Sequence, residues 1–442
     1  MPRPAPALDW ASVQDEAVDL LRALVRFESY RSNEIEAARF VAARLIDAGV
    51  EPAVLEPFPG RGSVVGRLRG DGSAGHALLL FGHLDVVPPG DASRWTHPPF
   101  AADVADGCVW GRGTLDMKYM VASQLAIVLA LARAGLRPRR DLVFAATADE
   151  ETGGARGVGW ILENRPELID CGWALTEFGG FSLDVAGRRF YMVQTGEKGF
   201  AWFKLEARGA GGHGSMPLPG SAVVALCEAA AAAGRHRTPI EPSRTSQAFV
   251  ETIAAAHPWI RGLLSIDTID EVLARLPLDQ ALLFAAVVRN TISVNVIRAG
   301  DRPNVIPPVA EAEIDCRLVP GQTIEAFRDL VQEIVGPAID VTLVAGSGAT
   351  EQPLDTPLWE AVVRALKRYD AGAEAVPFLM PGGTDGRFLA RKGIVCYGFS
   401  PIRLPGDLHF LRLIHSDDER IPVDAFREGV RVLGETVLDF CW

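Results

Sequence analysis

The sequence predicts an α/β protein: a mainly parallel sheet with helices on both faces, interrupted by an inserted ferredoxin-like α+β domain. Two observations predict it. Helical and strand-like segments alternate from residue 13 to about 176, as consecutive β-α units do. Near Glu197 the order changes to β-α-β-β-α-β, the succession of a ferredoxin-like sandwich, and the alternation resumes after Pro353. A chain of 442 residues exceeds one ordinary core, so two domains are expected: an outer one over 1–196 and 348–442, and an inserted one over 197–347.

The elements follow in order. VDLLRALVRF and IEAARFVAARLIDAG, within 13–48, show helical periodicity, and the second closes on Gly49. Strands are expected at 63–68 and 77–81, and ALLLF in the latter is apolar on both faces, as in a central strand. A helix over about 118–134, a strand at 142–147, a helix near 155–163 and a strand at 174–176 continue the pattern. In the insert, strand 201–207 leads to helix 220–234, strands 291–297 and 310–318, helix 323–335 and strand 341–344. An extra helical hairpin is expected between about 245 and 289. A helix at 356–368, a strand near 394–398 and a helix at 423–438 close the outer domain.

Composition narrows the function classes. With 48% hydrophobic and 23% charged residues the chain is globular, neither disordered nor fibrous. A net charge of -12 and scattered Arg residues argue against nucleic acid and anionic membranes as partners. The longest apolar patches are too short to span a bilayer, and MPRPAPALDW has no apolar signal core. Six dispersed cysteines form no C-x-x-C pair and read as reduced thiols, so a cytoplasmic location is expected.

Five segments carry the chemistry: GHLDVVPPG around His83, GRGTLDMK around Asp116, ADEETGG around Glu150, LTEFGG around Glu177 and LIHSDDER around His415. They offer two imidazoles and several carboxylates, each beside glycines or at a turn. That inventory can hold two divalent metals: one His and one carboxylate each, one shared carboxylate, and a separate acid for proton transfer. No Cys lies in these segments, so the ligand field is nitrogen and oxygen, suited to zinc, cobalt or manganese.

Each segment also has a plainer use. Asp85, two residues after His83, can support the imidazole N–H, although a bare H-x-D is commonly structural. Asp116 at a helix start can bridge cations or simply cap the helix. In the Asp149-Glu150-Glu151 run, one acid can ligate while its neighbour serves as general base, and a solvated loop is the alternative. Glu177 is a further ligand or a loop acid. His213 lies in GAGGHGSMP, where glycines leave its ring exposed, whereas His76, His97, His236, His257 and His409 have no comparable setting. In PGGTDGRF, Gly383, Thr384, Asp385 and Arg387 suit a substrate carboxylate; the Gly-Lys-Ser/Thr ending of a phosphate loop is absent.

From about residue 10 onward, these segments, with the W…PPF…GRGTLDMK stretch from Trp95 to Lys118, resemble the co-catalytic zinc peptidases and amidohydrolases. That family includes aminoacylase, carboxypeptidase G, carboxypeptidase S and succinyl-diaminopimelate desuccinylase. The resemblance implies a zinc-exopeptidase catalytic domain and a lid domain that forms a homodimer. It implies that His83 and Glu177 hold one metal, Glu151 and His415 the other, and that Asp116 bridges them. Asp85 then supports His83, Glu150 is the general base, and His213 polarises the scissile carbonyl, often across a dimer. Asn304 in NVIP and Arg317 in DCRLVPG match substrate-contacting positions.

The loop GGTDGRF is one residue shorter than the GGTSDGRF of the desuccinylases, and Glu at 177 is compatible with the aminoacylase and carboxypeptidase S side. The implied reaction is metal-assisted hydrolysis of an amide or peptide bond next to a free carboxylate, by a carboxypeptidase or dipeptidase. An N-acyl-amino-acid deacylase is the alternative, and a noncatalytic binding protein on the same scaffold ranks below both.

Overall fold

The computed structural model describes residues 7–406, 408 and 410–442, so His409 lies outside the described residues. The chain divides into two compact units. Of the described residues, the first comprises those within 7–195, 352–377 and 384–442, and the second comprises 196–351 and 378–383.

The first unit is built on four central parallel strands in the order Leu142–Thr147, Leu78–His83, Trp173–Thr176 and Val395–Gly398. Every residue of the first two is buried, which explains why neither shows an alternating polar pattern. On one side, Arg61–Leu68 adds antiparallel to Leu142–Thr147, and Pro52–Phe58 adds outside it. On the other, Arg188–Glu197 pairs antiparallel with Val395–Gly398 and carries the hairpin strand Phe181–Val185. The sheet is thus parallel at its centre and antiparallel at its flanks, and the hairpin is an element the periodicity does not announce.

Helices cover both faces. On one, Leu79, Phe81, Val143, Ala145 and Ala174 pack against Ile161, Leu162 and Leu389. Against the other lies the helix Lys118–Arg133, with Trp10–Val25 and Val423–Cys441 packed on it. Gly82 sets how closely that helix approaches: a Cβ there would lie 2.8 Å from Met117 Cε and 2.9 Å from Val121 Cγ2. Gln124 of the helix donates to the carbonyls of Phe81 and Leu175, anchoring it across two strands. The connection from strand Leu78–His83 through this helix to strand Leu142–Thr147 carries Asp116 to the sheet's C-terminal edge.

The second unit has a four-stranded antiparallel sheet in the order Thr291–Ala299, Val309–Leu318, Gly199–Arg208 and Ile339–Ser347. With helices Ala222–Arg235 and Ile324–Val335 in sequence, the connectivity is β-α-β-β-α-β. The alternation in Gly199–Arg208 follows from one covered face: Ala201, Phe203, Leu205 and Ala207 are fully buried with Leu226, Phe327 and Val331, while Trp202 is exposed. The expected hairpin between 245 and 289 is instead four helical segments, Arg244–Ala254, Pro258–Leu264, Ile269–Leu273 and Leu278–Val287. Pro258 and Pro277, each at the start of a segment, break the run too often for two long helices.

Candidate active site

Three parallel strands end side by side, and the chain places acidic or imidazole groups at or just beyond the end of each. His83 closes its strand opposite Thr147, Glu150 and Glu151 follow the strand ending at Thr147, and Glu177 follows the one ending at Thr176. Two turns toward the cluster use left-handed backbone at non-glycine residues, Asp149 (φ 77°) and Phe178 (φ 60°), as does His415 itself (φ 63°). Such residues cluster where a site demands a particular side-chain direction.

The Asp116 carboxylate lies between the two imidazoles. Its Oδ1 is 3.1 Å from His83 Nε2 and its Oδ2 is 3.1 Å from His415 Nε2. Glu177 Oε2 is 3.2 Å from His83 Nε2, and Glu151 Oε2 is 3.2 Å from His415 Nε2. Glu150 stands slightly apart, its Oε2 4.0 Å from His83 Nε2. Two triads, His83–Asp116–Glu151 and His83–Glu150–Glu177, each bring three ligand atoms within 4.8 Å of one another.

The electrostatics are those of crowded anions. Burial and the neighbouring Glu177, Asp385 and Glu151 carboxylates push Glu150 well above the usual carboxylate range, against the pull of His83. Burial also raises Glu151 and Glu177. Although burial opposes it, Asp116 stays below its usual value because both imidazoles bond to it. Those bonds, with Glu151, carry His415 up to about 10. Buried Glu151 Oε1 has no hydrogen-bond partner among the described residues. An unpartnered oxygen, surplus negative charge and nitrogen/oxygen donors in two linked sets fit divalent cations.

Asp85 does more than support His83. Its backbone carbonyl lies 3.0 Å from His83 Nδ1, with the carboxylate at 3.5 Å. The shorter bonds of that carboxylate are accepted from the backbone N–H groups of Glu150 (3.2 Å) and Glu151 (3.0 Å). Asp85 therefore orients the acid pair as well as the imidazole. Asp149, the first acid of the run, builds the loop: it accepts from Thr152 Oγ1 at 2.6 Å and Arg156 N at 2.8 Å and pairs with Arg61 at 3.4 Å. Arg61 in turn is held by buried Glu34 at 2.7 Å.

The loop around Thr384 meets the acid loop from the other side. Arg387 donates to the carbonyls of Thr384 and Gly153, both at 2.8 Å. Buried Asp385 lies against Gly154 (φ 72°), where a Cβ would come within 1.9 Å of Asp385 Oδ1. Only glycine tolerates both demands. Burial pushes the Asp385 carboxyl up to about 8, although Arg387 and His83 pull it down.

His213, Asn304, Arg317 and Gly383 belong to the second unit. His213 is exposed on a two-residue strand paired with Val305–Ile306, and Asn304 adjoins it, its carbonyl accepting from Gly214 N at 2.8 Å. Arg317 is engaged by Asp315 through two bonds of 2.8 and 2.9 Å.

The C-terminal edge of the parallel sheet thus gathers imidazoles and carboxylates in an arrangement suited to metal-assisted hydrolysis. The sequence profile of peptidase family M20/M25/M40 matches residues 79–439, and the chain belongs to that family. The human N-fatty-acyl-amino acid synthase/hydrolase PM20D1 is 29% identical, over 93% of this chain and 84% of its own. The probable carboxypeptidase S-like 2 of Dictyostelium discoideum is 27% identical, over 80% of this chain and 69% of its own. The M20 family metallo-carboxypeptidase Sso-CP2 from Sulfolobus solfataricus shares the fold, with a TM-score of 0.73 at 17% identity, covering 96% of this chain and 99% of its own.

Proposed function

We propose that the chain is an N-acyl-amino-acid hydrolase that cleaves the amide between an acyl group and the nitrogen of an amino acid bearing a free carboxylate. The observation that carries the hydrolytic reading is that the two oxygens of Asp116 face two different imidazoles, each with a second carboxylate beside it. His83 and Glu177 would hold one divalent ion, His415 and Glu151 another, with Asp116 shared and zinc the expected metal. Such ions acidify a water and polarise a carbonyl.

The chain's own groups handle the protons. Glu150, outside both pairs of short contacts and held above the usual carboxylate range, takes the proton of the attacking water. As the C–N bond breaks, it delivers that proton to the leaving nitrogen, giving a carboxylic acid and an amino acid. His213 is suited to donate to the carbonyl oxygen. Its Nδ1 accepts the backbone N–H of Ser215 at 3.2 Å and lies 2.8 Å from Ser215 Oγ, so in the neutral ring Nε2 carries the proton. Two of the five Arg387 donors are committed to backbone, and the rest serve a substrate carboxylate with the loop of Gly383, Thr384 and Asp385. Asn304 and Arg317 are further substrate contacts in this reading.

The similarity to the human N-fatty-acyl-amino acid synthase/hydrolase supports an acyl rather than a peptidyl substrate, and the Dictyostelium relative favours a carboxypeptidase as the second reading. Turnover of N-acyl amino acids and of carboxyl-terminal dipeptides, assayed in parallel with added zinc, cobalt or manganese, separates the two. Higher kcat/KM on the acyl series is the expected result, and activity on dipeptides alone would replace it. We further propose a homodimer through the second unit, with the exposed His213 serving its partner's site. Sedimentation should then show a dimer, and an active monomer would remove that role. Six free cysteines support a reducing, cytoplasmic setting. Among the described residues no helix is long and apolar enough to cross a membrane.

A further inference from the structure

We infer that Glu419 is a positioning residue for the half of the metal centre formed by His415, Glu151 and Asp116. The inference rests on the reading that those three hold an ion. Glu419 is completely buried, and the proposed chemistry does not use it. Its carboxylate collects donors from one short loop. Oε2 accepts from Arg112 Nη1 at 2.6 Å and Gly113 N at 3.1 Å, while Oε1 accepts from Leu115 N at 2.6 Å and Asp116 N at 3.2 Å. The Glu419 carbonyl also accepts from Gly111 N at 2.9 Å.

These bonds join two stretches about three hundred residues apart in sequence. One ends on Asp116, and the other begins four residues before Glu419 with His415. Just beyond, Arg420–Pro422 pairs antiparallel with Cys108–Trp110, which extends the same seam. Among the described residues, the two groups whose Nε2 and Oδ2 atoms face each other at 3.1 Å are therefore carried by segments tied through one carboxylate.

The donor set requires an anion. Three backbone N–H groups and a guanidinium converge on two oxygens, so a neutral amide cannot replace the carboxylate without turning an N–H toward other N–H donors. An unmade bond at full burial would loosen the loop rather than be replaced by water. Groups that orient metal ligands from behind cost about 10–100-fold in metal affinity when removed, and that is the size of effect assigned to Glu419.

The test is cobalt titration of the full-length protein and of Glu419→Gln, stripped of metal, followed by calorimetry and by visible absorption of the bound ion. The wild type should take two ions. In Glu419→Gln the ion beside His415 should bind ~10–100-fold more weakly and the ion beside His83 should be weakened much less, with turnover recovering at high cobalt and KM little changed. Such recovery distinguishes positioning from general loss of structure. Should Glu419→Gln fail to fold, Arg112→Lys, which keeps the charge and loses the fork, should show the same selective weakening to a smaller degree. Two ions bound with unchanged affinity in a folded variant, or equal weakening of both, would overturn the inference while leaving the metal reading intact. A wild type that binds no second ion would instead defeat the metal reading itself.

Discussion

Glu150→Gln should retain both metals and the fold and lose turnover by about 10²–10⁴-fold, the usual contribution of a positioned general acid–base. Three features of this carboxylate lead there. It lies 4.0 Å from His83 Nε2, whereas Glu177 and Asp116 lie within 3.2 Å, so its loss leaves the short contacts of both imidazoles in place. It is held above the usual carboxylate range by burial and by Glu177, Asp385 and Glu151, which favours its taking up a proton. Its backbone is fixed by the Asp85 carboxylate, a bond that Gln preserves. Because the group acts mainly in the transition state, kcat should fall far more than KM rises. Glu151→Gln should behave oppositely, because Glu151 contacts His415 at 3.2 Å: metal content falls, and activity falls with it. Metal analysis beside single-turnover kinetics decides the matter. If Glu150→Gln empties a site while Glu151→Gln leaves both filled, the two roles must be exchanged.

Asp116→Asn should have the second large effect and should strike both halves of the centre together. Each oxygen of Asp116 faces a different imidazole at 3.1 Å, so an amide presents an N–H to one of them in either orientation. If Asp116 is a ligand, the loss should exceed the ~10–100-fold in metal affinity typical of a supporting group. Activity should then stay low across the metal range that rescues Glu419→Gln. Metal retained after dialysis, measured per chain, gives the comparison. Two ions kept at wild-type affinity would mean that Asp116 is not shared.

Four of the five candidate segments are visible in the sequence because each ends or follows a buried strand or opens a helix, where an isolated His or a run of acids stands out; in LIHSDDER the His stands out beside its acids. What supports them is hidden by distance along the chain. Nothing near LIHSDDER says that Glu419 accepts from residues 112–116, because its partners lie more than 300 residues away. The H-x-D spacing suggests an Asp supporting a His, yet the shorter carboxylate bonds of Asp85 go to Glu150 and Glu151, through the parallel register that sets His83 opposite Thr147.

The hairpin Phe181–Val185/Arg188–Glu197 escapes for a local reason. Its turn, Ala186 (φ 50°) and Gly187 (φ 83°), has both central residues left-handed, without the Asn-Gly or Asp-Gly pair that announces such turns. The helices between 244 and 287 are foreseen as helical, but their number depends on Pro258 and Pro277, which a periodicity count treats as interruptions within two arms. The β-α-β-β-α-β order of the second unit is readable because its central strand Gly199–Arg208 alternates cleanly over one covered face.

Two divalent ions are expected between these imidazoles and carboxylates, and hydrolysis is expected to depend on them. Metal-specific anomalous diffraction from crystals grown with zinc, paired with activity before and after chelation of the same preparation, tests this most directly. Two peaks are expected, one beside His83 and Glu177 and one beside His415 and Glu151, with Asp116 common to both, and activity should vanish on chelation and return with metal. Full turnover by a metal-stripped chain, or ions bound away from Asp116, would contradict this.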